Sequence, residues 1–196
     1  MNQLQPANLR LLGAFELVHH GVQVTLGQPR LEELIALLAI RPGVALKRAQ
    51  IAYHFWPDSS EQQARTNTRN LLHKLKHAWP DLDEGITMER DSVTWRHDAA
   101  VVVDVHRFAQ LRAQVVQDYL PTERAHLLSN AVDCYRGDFL PSSYTDWALA
   151  VREQLRTRYT NVLEALVEAL LELRQNDEAL HRAKQLRDHD PLYESA

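Results

Sequence analysis

The sequence predicts a mainly α-helical protein with a small β component, in a mixed first half and an all-helical second half. Three observations predict it. Short β-prone runs with turn signals fall before residue 100. From Asp104 onward, apolar residues recur at three- and four-residue steps. The third observation is Glu61–Trp79, EQQARTNTRNLLHKLKHAW, a helix with two unlike faces. At about 100° per residue, Ala64, Thr68, Leu71, Leu72, Leu75 and Trp79 share one side. Thr66, Asn70, His73 and His77 share the other, flanked by Arg65, Arg69, Lys74 and Lys76. From Arg65 to His77 there are four Lys or Arg and no Asp or Glu. Surface helices often carry cations for solubility alone, but here no acids balance them in a chain of net charge −4. Cations, an amide and hydroxyls opposite a buried face suit the DNA major groove.

The first half begins with Leu9–Leu12, Phe15–His19 and Val22–Leu26, short runs that read as a small antiparallel sheet, with a turn at His20-Gly21. Pro29 suits a first helical turn. Leu31, Leu34, Ile35, Leu37 and Leu38 then give an apolar helix closed by Arg41-Pro42-Gly43. A second helix, about Lys47–Phe55, places Ile51, Ala52 and Phe55 on one side and ends in the loop Trp56–Ser60. Ser60 is the expected N-cap of the basic helix, with Gln63 as its capping-box partner. Pro80–Gly85 reads as an acidic loop. Ile86–Glu89 and Val93–Arg96 read as a hairpin around Arg90-Asp91-Ser92. Three helices ending in a basic one, then a hairpin, describe a winged helix-turn-helix. Its third helix would enter the major groove, and the hairpin, with Arg90 at its tip and Arg96 at its base, would lie along the adjacent backbone or minor groove.

In the second half the expected helices are Val105–Val116, Thr122–Tyr135, a long one over about Tyr144–Arg174, and Glu178–Arg187 after a turn at Asn176-Asp177. Helix pairs with short connections suggest an α-solenoid. Glu178–Ala196 resembles the second helix of a tetratricopeptide repeat and the start of the next, a junction at Asp190-Pro191 that the chain does not complete. The domains are read as 1–98 and 99–196, the second truncated.

Composition is that of an ordinary globular protein: 196 residues, 45% hydrophobic and 24% charged. No apolar run approaches the ~20 residues of a membrane span. Polar Met1–Asn8 is unlike a signal peptide, so a cytoplasmic address is expected. The one cysteine, Cys134, excludes an intrachain disulfide and reads as a small core residue. Residues 1–100 hold 11 Lys/Arg and 11 Asp/Glu, and residues 101–196 hold 11 and 15. Any DNA binding must therefore come from a local patch in the first half.

The chain resembles the Streptomyces antibiotic regulatory proteins (SARP), in which an OmpR/PhoB-type winged helix precedes a bacterial transcriptional activator domain. The resemblance rests on Leu11-Leu12-Gly13 with Phe15-Glu16-Leu17, Leu34–Ala39, Phe55-Trp56-Pro57-Asp58, Ala64-Arg65 and the Leu72/Leu75 pair. In the second half it rests on Asp104–Phe108, Tyr135–Pro141, Trp147, Glu153-Gln154-Leu155 and Asp190–Glu194. It implies a sequence-specific transcriptional activator that binds direct repeats upstream of a promoter and contacts RNA polymerase; a homodimer on double-stranded DNA would suit such repeats. Carried over by position, Arg65, Asn70, Lys74 and Lys76 would meet bases or phosphates. The loop Pro57–Gln62, with Asp58 and Glu61, would meet polymerase or merely join two helices. Asn70 stands where relatives often have valine, and would favour adenine over a thymine methyl. Lys74 and Lys76 stand for common arginines and lack their planar fork.

From the residues themselves, Arg65, Arg69, Lys74, Lys76 and Arg90 would supply phosphate attraction, while Thr66, Asn70 and His73, helped by Lys74, would read bases. No phosphate-cradling glycine loop, metal-ligand Cys/His spacing or nucleophile elbow is present, so no cofactor, metal or catalysis is expected. His19 and His20, as strand neighbours, would point opposite ways. His73 and His77 lie one turn apart without an evident third ligand. The four tryptophans are expected in cores. The neutral first half leaves a second reading open: a protein-interaction module of a larger signalling protein, whose winged helix does not read DNA.

Overall fold

The computed structural model describes residues 7–79, 81–98, 100–115 and 120–189. They form two compact units. One contains the chain up to Leu11 and again from Phe15 to Val103. The other takes Leu12–Ala14 and the chain from Asp104. The structural division thus falls after Val103 rather than after residue 98. No helix among the described residues is long and apolar enough to cross a membrane.

In the first unit, β1 (Ala7–Arg10), β2 (Glu16–His19) and β3 (Val22–Gln23) form an antiparallel meander. A further strand, β7 (Val101–Val103), lies parallel to the other edge of β1, pairing Val103 with Leu9. Alternation sends Ala7, Leu9, Leu17 and Val103 into the core. The meander is shorter than the sequence suggests. Leu12 leaves it to bridge Phe139 in the second unit, and Val24–Leu26 is not strand.

Pro29 opens α1 (Pro29–Ala39) at its first position. Leu31 and every residue from Leu34 to Ala39 are buried, so the helix is central rather than amphipathic. The second sheet has the order β4-β6-β5, from β4 (Leu46–Lys47), β5 (Ile86–Met88) and β6 (Ser92–Trp95). α2 (Arg48–Phe55) buries Ile51, Ala52 and Phe55. α3 (Glu61–Ala78) buries Ala64, Thr68, Leu71, Leu72 and Leu75, with Trp79 closing it at 0% exposure. Ser60 Oγ accepts the Gln63 N–H at 3.3 Å. The Gln63 side chain donates to Asn67 instead of returning to Ser60, so only half of the expected capping box forms. The acidic stretch after α3 contains a 3₁₀ turn, Leu82–Glu84, which the buried Leu82 pins to the core.

Two expectations about aromatic residues fail here. Trp79 and Trp95 are core residues, but Trp56 is half-buried, with the Arg30 guanidinium 5.0 Å above its ring. Trp147 is also half-buried. His19 and His20 do not point apart: their ring centroids are 3.9 Å from each other. Strand alternation stops at His20, whose φ of 49° and that of Gly21 at 78° make the tight left-handed turn between β2 and β3.

The second unit packs α4 (Asp104–Gln114), α5 (Pro121–Cys134), α6 (Asp146–Glu172) and α7 (Asn176–His189) in sequence. Asn176-Asp177 is the first turn of α7 rather than a loop. The connection is Leu173–Gln175, where Arg174 has φ 57°. Leu171, one of the apolar positions on the long helix, is exposed. Cys134 is half-buried and donates to the Asn130 carbonyl at 3.3 Å. The expected element at Asp190-Pro191 lies outside the described residues.

The motifs behind the resemblance have local structural jobs. Asp104 accepts the Leu12 N–H at 2.9 Å and the Val105 N–H at 2.8 Å, holding Leu12 and starting α4. Gly13 (φ 114°) donates to the Asp138 carbonyl, and a Cβ on Gly137 would come within 3.3 Å of Gly13 Cα. Arg152 donates to the carbonyls of Phe139, Leu140 and Ser143. Asp138 pairs with Arg156 and accepts from the Tyr135 hydroxyl.

The hydrogen bond from Arg156 is the main cause holding the Asp138 carboxyl below its ordinary value of 3.8. A depressed carboxylate contributes stability that is complete above the ordinary value and lost as pH falls through the folded one. Arg156→Ala should therefore lower the thermal midpoint at about pH 7, and the difference from wild type should shrink at about pH 2.5. Equal penalties at both pH values, measured by calorimetry, would count against this ion pair.

Candidate nucleic-acid interface

α3 turns a polar face outward because five of its residues and Trp79 are buried along the opposite stripe. Arg65, Arg69, Asn70, His73, Lys74, Lys76 and His77 are exposed, and Thr66 is half-buried. Several are already engaged. Arg65 pairs with Glu61 at 2.6 Å, one turn away. The Thr66 hydroxyl donates to the Gln62 carbonyl at 3.0 Å, leaving its oxygen as an acceptor. Lys74 Nζ donates to Gln28 Oε1 at 3.3 Å, linking α3 to the residue before α1. His77 Nδ1 donates to the His73 carbonyl at 2.9 Å, and the two rings lie 4.3 Å apart.

One flank of this face borders a groove of about 500 Å³. Arg65, Thr66 and Arg69 line it from α3. Lys47 and Arg48 line it from the start of α2, and Arg90 and Asp91 from the hairpin tip. Five cations face a single carboxylate. The N-terminal end of α2 adds its partial positive charge to theirs. The groove is stitched together by backbone and side chain: the Arg48 N–H donates to the Asp91 carbonyl at 2.8 Å, and Arg48 Nη2 to the Glu89 carbonyl at 2.9 Å. Arg48 Nε is buried and has no hydrogen-bond partner. A buried charged donor without an acceptor is costly.

The structure thus brings Arg65, Thr66, Arg69 and Arg90 together in one groove. Asn70, His73, Lys74 and Lys76 lie outside it on the exposed α3 face. Lys47 and Arg48 escaped the sequence reading. Their signal in the sequence is an adjacent basic pair at a helix start, outweighed there by the apolar side of Ile51, Ala52 and Phe55.

Asp58 is exposed in the turn after α2. Glu61 is not in that turn with it: it sits in the first turn of α3, held by Arg65. Beside them a smaller groove of about 220 Å³ is lined by Tyr53, Trp56, Pro57, Ser59, Glu61 and Ala64 among others, with Tyr53 73% exposed.

Comparison with known proteins adds the following. Residues 103–196 match the family model described as bacterial transcriptional activator domain. Among solved structures, Mycobacterium tuberculosis EmbR, in complex with a low-affinity phosphopeptide, matches 95% of this chain with a TM-score of 0.79 at 17% identity. The chain spans about half (51%) of that EmbR chain. Comparison with curated protein sequences gives no match. The chain therefore has a fold similar to that part of EmbR, and its residues 103–196 are similar in sequence to the bacterial transcriptional activator domain.

Proposed function

We propose that this protein is a sequence-specific DNA-binding transcriptional activator of the SARP type. Its first unit acts as a winged helix-turn-helix, and its second as a tetratricopeptide-like activator domain. The observation that carries the reading is the cationic groove between α2, α3 and the hairpin tip, where five cations face a single carboxylate. A backbone phosphate fits its charge. With a strand seated there, the neighbouring exposed face of α3 meets the major groove. Asn70 and His73 then read base edges, and Arg65, Arg69, Lys74, Lys76 and Arg90 hold register. Asp58 and Tyr53, beside the smaller groove, offer an acidic and aromatic contact to RNA polymerase. Glu61 is less available while Arg65 holds it. Direct-repeat half-sites would be read by two copies arranged head to tail.

The test is selection of bound duplexes from a random library at ~150 mM salt, where the Debye length is about 8 Å. A recovered direct repeat supports the reading. No enrichment even at lowered salt favours the interaction-module alternative. On the recovered site, Asn70→Ala should cost roughly 1–3 kcal/mol and relax one base position. Lys76→Ala should weaken all sequences alike and lower the salt slope by about 1. If Asn70→Ala weakens specific and random DNA equally, Asn70 does not read a base.

A further inference from the structure

On the side of the first unit that carries the β2–β3 turn, three side chains converge without any role in the reading above. His19 ends β2, His20 begins the turn, and Glu84 ends the 3₁₀ turn after α3. Among the described residues they are the one group of three or more His, Cys, Asp or Glu whose ligand atoms lie close enough to share an ion, all within 4.8 Å. We infer that His19, His20 and Glu84 form a binding site for a divalent transition cation of the zinc class, with Asp81 orienting His19.

The ring of His19 carries the argument. It is 6% exposed and has a carboxylate at each nitrogen: Asp81 Oδ2 is 3.1 Å from Nδ1, and Glu84 Oε2 is 2.9 Å from Nε2. A neutral imidazole has one N–H. With that N–H donated to Asp81, the Nε2 lone pair faces the Glu84 carboxylate, and a cation, either a proton or a metal ion, must separate them. A carboxylate on one ring nitrogen and a metal on the other is how metal-bound histidines are commonly oriented. Tetrahedral zinc, with bonds of about 2.0–2.2 Å, holds its ligand atoms roughly 3.3–3.6 Å apart, so seating it moves Nε2 and Oε2 apart by about half an ångström from their present 2.9 Å. A proton on Nε2 would also satisfy this pair, but it leaves His20 unexplained.

His20 has φ 49°, a left-handed region that Gly and Asn favour in such turns and that His also adopts more often than most residues. Its exposed ring lies against that of His19, 3.9 Å between centroids. The second imidazole brings a further ligand atom within reach of the same ion. Two imidazoles and one carboxylate make a borderline-soft donor set suited to zinc, with the fourth position open to water. The role is structural. His19 lies 6.4 Å from the ring of Trp79, which closes α3, so an ion here ties the exit of α3 to the N-terminal sheet.

The test is titration of the metal-free full chain with zinc by calorimetry, and with cobalt by visible absorption. One equivalent should bind and raise the thermal midpoint. His20→Asn keeps the left-handed backbone accessible, and Glu84→Gln keeps the shape. Each should weaken zinc by at least ~10-fold and remove the rise in midpoint while circular dichroism is unchanged. Asp81→Asn should weaken it by about 10–100-fold, and His73→Ala should leave it unaltered. The inference is overturned by any of three results: no stoichiometric binding, binding unchanged in both His20→Asn and Glu84→Gln, or loss of binding in His73→Ala instead.

Discussion

Trp79→Ala is expected to destabilise the first unit by about 3–5 kcal/mol, the cost of truncating a large buried aromatic. Trp79 has no exposed surface, its ring centroid lies 6.3 Å from that of Trp95, and a Cβ on Gly85 would come within 3.1 Å of its far edge. Nothing flexible surrounds it on those sides to refill the space. Its indole N–H is buried without a partner, so part of the native ring's favourable burial is already offset. Trp79→Phe should consequently cost less than the loss of ring volume alone suggests, because it also deletes that stranded donor. Urea denaturation followed by circular dichroism would measure both variants. An alanine penalty below about 1 kcal/mol, inside the range of ordinary surface changes, would contradict this packing.

The second large effect concerns DNA. Replacing Arg48, Arg69 and Arg90 together by alanine is expected to lower affinity for any duplex by roughly 10²-fold at ~150 mM salt. Each phosphate contact releases counterions with a slope of about 0.9 in log–log salt dependence. Three contacts therefore flatten the slope by roughly 2.7 units. Base preference should survive, because Asn70 and His73 stand outside the groove. A triple variant that binds as before with an unchanged slope would remove the groove from the interface. One that loses sequence preference but keeps its slope would make it a reading surface rather than a phosphate seat.

Much of the first unit was legible because its signals are local. The α3 stripe, the Ser60 cap, Pro29 at the start of α1 and the hairpin before Trp95 are all set by residues within a turn or two of each other. What escaped depends on distance or on a single torsion. β4 has two residues and β7 three, too short to show a period, and β7 exists because Leu9 lies beside it. The positive φ of His20 reverses the neighbour rule that separates adjacent strand side chains. In the candidate site, α3 declared its own cations, but the groove needs α2 and the hairpin tip, and only folding brings Lys47, Arg48 and Arg90 together. In the second unit, helical spacing located four helices. The start of α7 was misplaced because Asn176-Asp177 suits a helix's first turn as well as a loop.

The pairing of β1 with β7 has a consequence for how the chain is made. The hairpin partner of β1 leaves the ribosome almost at once, but its parallel partner follows about ninety residues later. At the usual rate of synthesis, the outer edge of β1 waits roughly 5–20 s. For Leu12, whose bridge is to Phe139, the wait is longer still. β1 and Leu12 are thus among the last segments to find all their neighbours, and the waiting edge of β1 is a place for a chaperone to act.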